Sequence, residues 1–137
     1  MERLRRKFET AKSLLPAPIL KRASQPSRFG AIYYGSTGPA MDEASALLEA
    51  QGVHVNTLRV RGFPFADEVI DFINEHDFVF VVEQNESGQL RMLLSTEGEV
   101  DPKRLIRVLH YDGTPITARF ISGRIADALS EHKVTPI

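Results

Sequence analysis

The strongest constraint in this sequence is a rhythm. From residue 29 onward, short runs rich in β-branched and aromatic residues alternate with segments whose apolar positions recur at helical spacing. Residues 29–34 read FGAIYY and residues 78–82 read FVFVV. An apolar run with no polar break has no face suited to water, so residues 78–82 predict a central strand covered on both sides. Residues 39–51 place Ala40, Ala44, Leu47 and Leu48 on one helical face and stop at Gly52, a residue suited to ending a helix. Residues 53–60 alternate imperfectly, with Val53, Val55 and Thr57 opposed to His54, Asn56, Leu58 and Val60. Residues 67–76 bring Val69, Ile70, Phe72 and Ile73 together as a second amphipathic helix. Residues 88–94 then predict a short helix, 105–110 a strand and 115–129 a final helix. Four such alternations imply a mostly parallel sheet between two helical layers.

The chain is 137 residues long, of which 42% are apolar and 26% charged, enough for one globular domain with a single core. Cysteine is absent, which excludes disulfides, thiol catalysis and Cys-ligated zinc or iron–sulfur clusters on these residues. No apolar run is long enough to span a membrane, and the charged N-terminus has no apolar core of a secretory signal, so a cytoplasmic location is expected. The formal net charge of −1 conceals an asymmetry: residues 1–28 hold eight Lys/Arg and two Glu, net +6, leaving −7 on the remainder. A basic arm on an acidic domain fits a connector that docks on its own domain or on a neighbouring subunit. A nucleic-acid arm or a membrane-surface segment is the weaker alternative, since nucleic-acid modules usually show a basic domain face as well.

Within that arm, Leu4, Phe8, Ala11 and Leu15 form one narrow apolar stripe among Arg3, Arg5, Arg6, Lys7 and Lys12, predicting a helix over residues 2–15 that needs a surface to lie on. Pro16 and Pro18 end it. Residues 17–22 suit a short edge strand, where proline is tolerated, and residues 24–27 a linker. The expected organisation is a basic helix and linker over 1–28 and an α/β domain over 29–137.

In an open α/β sheet, ligands and partners meet the loops at the carboxyl ends of the strands. Four such loops stand out. Gly35-Ser36-Thr37-Gly38-Pro39 offers hydroxyl caps, a proline near the helix start and free backbone N–H groups, which suit an anion or plain helix capping. Arg61-Gly62-Phe63-Pro64-Phe65 sets two aromatics around a proline; they either fold back to cap the core or form a contact with other protein. Residues 83–89, EQNESGQ, place a carboxylate and two amides directly after the most buried strand. Residues 110–115, HYDGTP, put Thr114 at a helix N-cap and Pro115 at its first position. No spacing matches a dinucleotide fingerprint, a P-loop or a nucleophile elbow. The histidines at 54, 76, 110 and 132 show no metal-binding spacing, and His110 beside Asp112 reads as a structurally satisfied histidine.

Taken in order, YYGSTGPAMDEA (33–44), LRVRGFPF (58–65), VFVVEQNESGQLR (79–91) and LHYDGTPITARFI (109–121) closely resemble one family. That family is the C-terminal domain of the alpha subunit of 2-oxoacid:ferredoxin oxidoreductases, particularly the 2-oxoglutarate type. The resemblance covers nearly the whole chain, including the basic lead-in RLRRKFETA. It implies a transketolase C-terminal-like fold: a three-layer α/β/α sandwich on a mostly parallel five-stranded sheet with one antiparallel edge strand, residues 17–22 being the candidate.

The family enzyme uses thiamine diphosphate, Mg²⁺, iron–sulfur clusters and coenzyme A, and passes electrons to ferredoxin. The residues fit a share of that work without the cofactors. There is no cysteine for a cluster, and Tyr111-Asp112-Gly113 lacks the first glycine of the diphosphate motif. The resemblance thus implies no cofactor bound and no catalytic residue within these 137 positions, and no activity from them alone. It also implies upstream regions of the alpha subunit, which would make Met1 an internal methionine of a longer chain. The implied partners are the remainder of the alpha subunit, the beta subunit, ferredoxin through the complex, and a second copy of the chain, with no nucleic acid and no membrane. The expected contacts are Gly35, Ser36, Thr37, Phe63, Pro64, Glu83, Asn85, Gln89 and His110, with coenzyme A access at the Ser36/Thr37 helix start. The alternative is a free-standing α/β module for protein interaction or small-ligand binding.

Overall fold

The structure, a computed structural model, describes residues 14–131. The basic helix expected over residues 2–15 falls almost wholly outside the described residues, as does His132. Five strands and four α-helices follow one another: β1 (Ile19–Lys21), β2 (Phe29–Tyr34), α1 (Gly38–Ala50), β3 (Val55–Val60), α2 (Asp67–Asn74), β4 (Phe78–Glu83), α3 (Gln89–Glu97), β5 (Leu105–Leu109) and α4 (Ala118–Glu131). Short 3₁₀ turns at Gly35–Thr37 and Pro102–Arg104 precede α1 and β5.

The strands form one sheet in the order β1-β3-β2-β4-β5. β2, β3, β4 and β5 are parallel, and β1 runs antiparallel to β3 at the edge, with Leu20 opposite Leu58. The expected sandwich with its antiparallel edge strand is therefore present.

The strand period of two divides the core. On one face Phe29, Ala31, Tyr33, Phe80 and Val82 pack with Met41, Ala44 and Leu48 of α1 and Ile121 and Ile125 of α4. On the other, Ile32, Val79 and Val81 pack with Val69, Phe72 and Ile73 of α2 and Leu90 and Leu94 of α3. Phe80 and Val79, adjacent in sequence, are both fully buried in opposite cores, which is why residues 78–82 carry no polar break. Each such side chain contributes about 1.5–3 kcal/mol, so the two cores outweigh the exposed ion pairs of the surface.

Several boundaries differ from the expectation. β3 begins at Val55 rather than 53, and α2 ends at Asn74 rather than 76. α4 starts at Ala118, not 115, and Thr114 and Pro115 are not its cap and first residue. The Thr114 hydroxyl and N–H instead donate to Asp112 Oδ1 at 2.6 and 3.0 Å, and Thr117 takes over the helix start by accepting from the Phe120 N–H at 3.1 Å. Thr37 caps α1 only by position: its side chain makes no capping bond, because its Oγ1 accepts from Gln84 Nε2 at 3.1 Å.

Gly30 shows how tightly the α2 layer lies on β2. A Cβ there would sit 2.7 Å from Phe72 Cε1 and 3.2 Å from His76 Nδ1. Gly123, on the exposed side of α4, has nothing within 4 Å. Two alanine substitutions should thus have opposite signs in urea denaturation. Gly30→Ala should lose about 1–3 kcal/mol through overpacking, and Gly123→Ala should gain about 0.5–1 kcal/mol through helix propensity.

Candidate functional site

Strand order reverses at β2. The chain leaves β2 for α1 on one face and leaves β4 for α3 on the other, so a crevice opens between their carboxyl ends. β2 ends on Gly35, whose φ of +66° lets the backbone turn sharply out of the sheet. Its carbonyl accepts from Arg59 Nη2 at 3.1 Å. Across the crevice, Gln84 Nε2 donates to both Ser36 Oγ (3.2 Å) and Thr37 Oγ1 (3.1 Å), and Asn85 Nδ2 donates to the Tyr34 hydroxyl at 3.2 Å.

Glu83, the last residue of β4, is completely buried. Its Oε1 accepts from the Leu90 N–H at 2.7 Å and from Asn85 Nδ2 at 3.0 Å, and its Oε2 from the Arg91 N–H at 3.2 Å. A buried carboxylate is therefore spent on the unpaired amides in the first turn of α3, where the helix dipole also favours negative charge. Asn85 Oδ1 accepts from the Gly88 N–H at 2.8 Å and completes the turn. Arg91 fastens the same helix to the lead-in of β5, donating to the Leu105 and Pro102 carbonyls at 2.8 Å each. Burial and the neighbouring Arg107 guanidinium lower its affinity for the proton. These groups are committed to holding the fold.

The open surface lies beside them. A groove of about 630 Å³ runs along the ends of β2 and β3, lined by Tyr34, Val60, Phe63, Phe65, Leu90 and Leu93, with Gly35, Gln89, Arg59 and Arg61 at its polar positions. Phe65 is buried in the α2-side core, whereas Phe63 stacks edge-on against it at 5.3 Å and stays 47% exposed. The core-capping expectation for this loop thus holds for Phe65, while Phe63 stays free for a contact. Tyr34 and Leu93 are 38% and 40% exposed, so the groove presents three partly bare apolar side chains next to two guanidinium groups.

The nine residues expected as contacts separate into groups. Gly35, Phe63 and Gln89 line the groove. Ser36, Thr37 and Asn85 take part in the cross-links of the crevice, and Glu83 is buried beneath it. Pro64 lines a smaller adjoining cavity of about 110 Å³. His110 lies at the end of β5, where its N–H donates to the Glu83 carbonyl at 2.9 Å. Its ring organises the next loop, with Nε2 3.0 Å from both Asp112 Oδ1 and the Thr114 carbonyl. Arg59, Tyr34 and Leu93 were not foreseen, and Arg61 was seen as part of its loop but not as a contact. The arginines alternate with Val60 at the end of β3 within LRVRGFPF, and that alternation at a strand end was the available signal.

Among the described residues no three His, Asp or Glu gather into a metal-binding group, and no helix is long and apolar enough to cross a membrane. Asp112 is occupied by Thr114 and His110. The chain has no cysteine to ligate an iron–sulfur cluster.

No protein-family model and no curated protein matches the sequence. Among solved structures, the chain is similar to the 2-oxoglutarate:ferredoxin oxidoreductase of Magnetococcus marinus with 2-oxoglutarate, coenzyme A and succinyl-CoA bound, at a TM-score of 0.76 and 22% identity. That match covers 87% of this chain and 21% of the other. It is also similar to a split-gene transketolase described as an inactive β4 tetramer, at a TM-score of 0.63 and 18% identity over 82% of this chain and 41% of that one. At these identities the likeness establishes the fold. The chain spans about a fifth of the first relative's length and two fifths of the second's.

Two outcomes follow from this geometry. Glu83→Gln keeps the shape but retains one acceptor oxygen and sets its NH2 against a backbone N–H donor, and should lower unfolding free energy by about 1–3 kcal/mol; Glu83→Ala, which strands all the donors, should lower it by about 3 kcal/mol or more. The Thr114 hydroxyl and N–H, with help from His110, hold the Asp112 carboxyl below its ordinary range. A depressed carboxyl stabilises its loop above the unfolded value and ceases to as pH falls through the folded value. Carboxyl NMR should therefore show Asp112 titrating below 3.8, the ordinary value, and Thr114→Val should move it upward.

Proposed function

We propose that this chain is the transketolase C-terminal-like domain of the alpha subunit of a thiamine-diphosphate-dependent 2-oxoacid:ferredoxin oxidoreductase, most like the 2-oxoglutarate type. Its role there is assembly, with the reaction centre held by other parts of the enzyme. The observation that carries this is the correspondence of 87% of the chain, at a TM-score of 0.76, to one part of such an enzyme. Support also comes from the four ordered sequence motifs, three of which fall on the strand-end loops that build the crevice and groove, while the fourth leads into α4.

The chemistry of the site agrees with that role. Its most buried polar group, Glu83, accepts from two backbone amides and the Asn85 side chain and is committed to holding α3. What remains accessible is apolar surface with two guanidinium groups, which suits docking and orientation. Thiamine diphosphate, Mg²⁺ and the clusters would supply the decarboxylation and electron transfer from elsewhere in the complex, together with the beta subunit and ferredoxin.

A finer part of the proposal concerns coenzyme A. Ser36 is exposed at the start of α1, with Arg59 bonded to the adjacent Gly35 carbonyl, a setting that favours a phosphate near the mouth of the groove. In the assembled enzyme, Ser36→Asp should raise the apparent KM for coenzyme A, and an unchanged value removes this part alone.

The whole proposal is tested by assaying 2-oxoglutarate-dependent dye reduction with coenzyme A present, using the chain with and without the remaining subunits. Turnover should occur only in the assembled form. Turnover by the isolated chain, or no association with the other subunits, contradicts it; the second outcome favours the free-standing interaction module.

A further inference from the structure

The groove along the ends of β2 and β3 runs against the charge of the domain around it. Residues 29–137 hold sixteen Asp/Glu against nine Lys/Arg, yet no acidic residue lines this groove and two arginines do. Each guanidinium is steadied by one backbone carbonyl. Arg59 Nη2 donates to the Gly35 carbonyl at 3.1 Å, and Arg61 Nη1 reaches the Ala17 carbonyl at 3.5 Å. Neither arginine forms an ion pair among the described residues. A guanidinium carries more N–H donors than one carbonyl can use, so each keeps donors for a further acceptor on a side chain already restricted in its motion.

The apolar walls narrow the choice of occupant. Tyr34 at the end of β2, Phe63 in the loop after β3 and Leu93 on α3 are 38%, 47% and 40% exposed. A small-molecule pocket encloses most of its ligand, which walls this bare do not. They suit an occupant whose far side is covered by its own fold. Charge complementarity sets the rest. The adjoining small cavity that shares Arg61 is bordered by Glu68. The groove beyond it, between β1 and α2, is lined by Glu68, Asp71 and Glu75. A basic segment would settle on that flank, whereas an acidic one is turned away from it towards Arg59 and Arg61.

We propose that this groove receives a segment of another protein in which two carboxylates bracket an aromatic or branched aliphatic side chain. The carboxylates pair with Arg59 and Arg61, and the apolar side chain lies between Phe63 and Leu93. The two arginines are separated only by Val60, about 7 Å along an extended chain, a spacing that acidic residues two apart in an extended partner match. The proposal rests on the reading that the strand ends meet other protein, and it is independent of which enzyme supplies that protein.

Amide NMR titration of the chain with acetyl-Glu-Phe-Asp-Leu-Glu-amide tests it. Resonances of residues 34–35, 59–63 and 89–93 should shift, with a Kd about tenfold below that of the isosteric acetyl-Gln-Phe-Asn-Leu-Gln-amide, because charge-assisted hydrogen bonds replace neutral ones. Arg59→Glu with Arg61→Glu should cost the acidic peptide about tenfold or more and shift the preference to acetyl-Lys-Phe-Lys-Leu-Lys-amide. Phe63→Ala should weaken the acidic and neutral peptides alike, and the unshifted resonances of β4 report that each variant is folded. Four results would overturn the proposal: equal Kd for the acidic and neutral peptides; no shift at millimolar peptide, or shifts confined to the α2 flank; 3-phenylpropionate binding as tightly as the acidic peptide, which would assign the groove to a small anion; or groove resonances that move with chain concentration alone alongside a dimer in sedimentation, which would place a second copy there. Failure of the enzyme reading is seen separately, as no association with the remaining subunits while the acidic peptide still binds.

Discussion

One buried charge organises this domain. Glu83 ends the most buried strand with a carboxylate fully removed from water, a placement that costs several kcal/mol unless donors converge on it. The donors that converge are the first-turn amides of α3 and the side chain of Asn85. That requirement fixes where α3 begins and sends the chain to the face opposite α1. The crevice that the strand order opens between β2 and β4 thus has one wall anchored on Glu83, and the His110 N–H bonded to the Glu83 carbonyl ties the end of β5 to the same point.

The strand-end face and the α2 flank divide the surface into two chemical regions. At the strand ends, bare aromatic and aliphatic side chains sit beside Arg59 and Arg61, whose described bonds are to the Gly35 and Ala17 carbonyls. Along α2, carboxylates predominate. Two of the domain's guanidinium groups, Arg59 and Arg61, thus stand at the apolar groove, away from the carboxylates of α2. The sheet itself supplies rigidity, since β2 and β4 are covered on both faces and the loops at their ends inherit fixed positions.

Much of this was legible in the residues. The unbroken FVFVV could only be a doubly covered strand, and the alternation of Val55 and Thr57 with Asn56, Leu58 and Val60 placed both faces of β3 correctly. Proline-tolerant residues 17–22 marked an edge strand, and the family resemblance implied that it runs antiparallel. What escaped the sequence depends on competition between nearby polar groups. Thr114 looks like a helix cap, yet Asp112 captures it first, and Thr117 begins the helix three residues later. Ser36 and Thr37 likewise look like caps, but Gln84, 47 and 48 residues away, takes both hydroxyls as acceptors. Glu83 reads as an available acid because nothing local announces that the amides seven and eight residues on will bind it. Arg59 and Arg61 escaped because a strand-end arginine becomes informative only once the neighbouring loops are placed.

The central claim is that the strand ends of this domain meet other protein within a larger oxidoreductase. Amide hydrogen exchange on the chain, alone and after assembly with the remaining subunits, addresses it at the residues concerned. The account predicts slowed exchange on assembly at residues 35–38 and 61–65, with the buried amides of β4 unchanged. Assembly that leaves both loops exchanging as in the free chain, or that protects only the opposite end of the sheet, would contradict it.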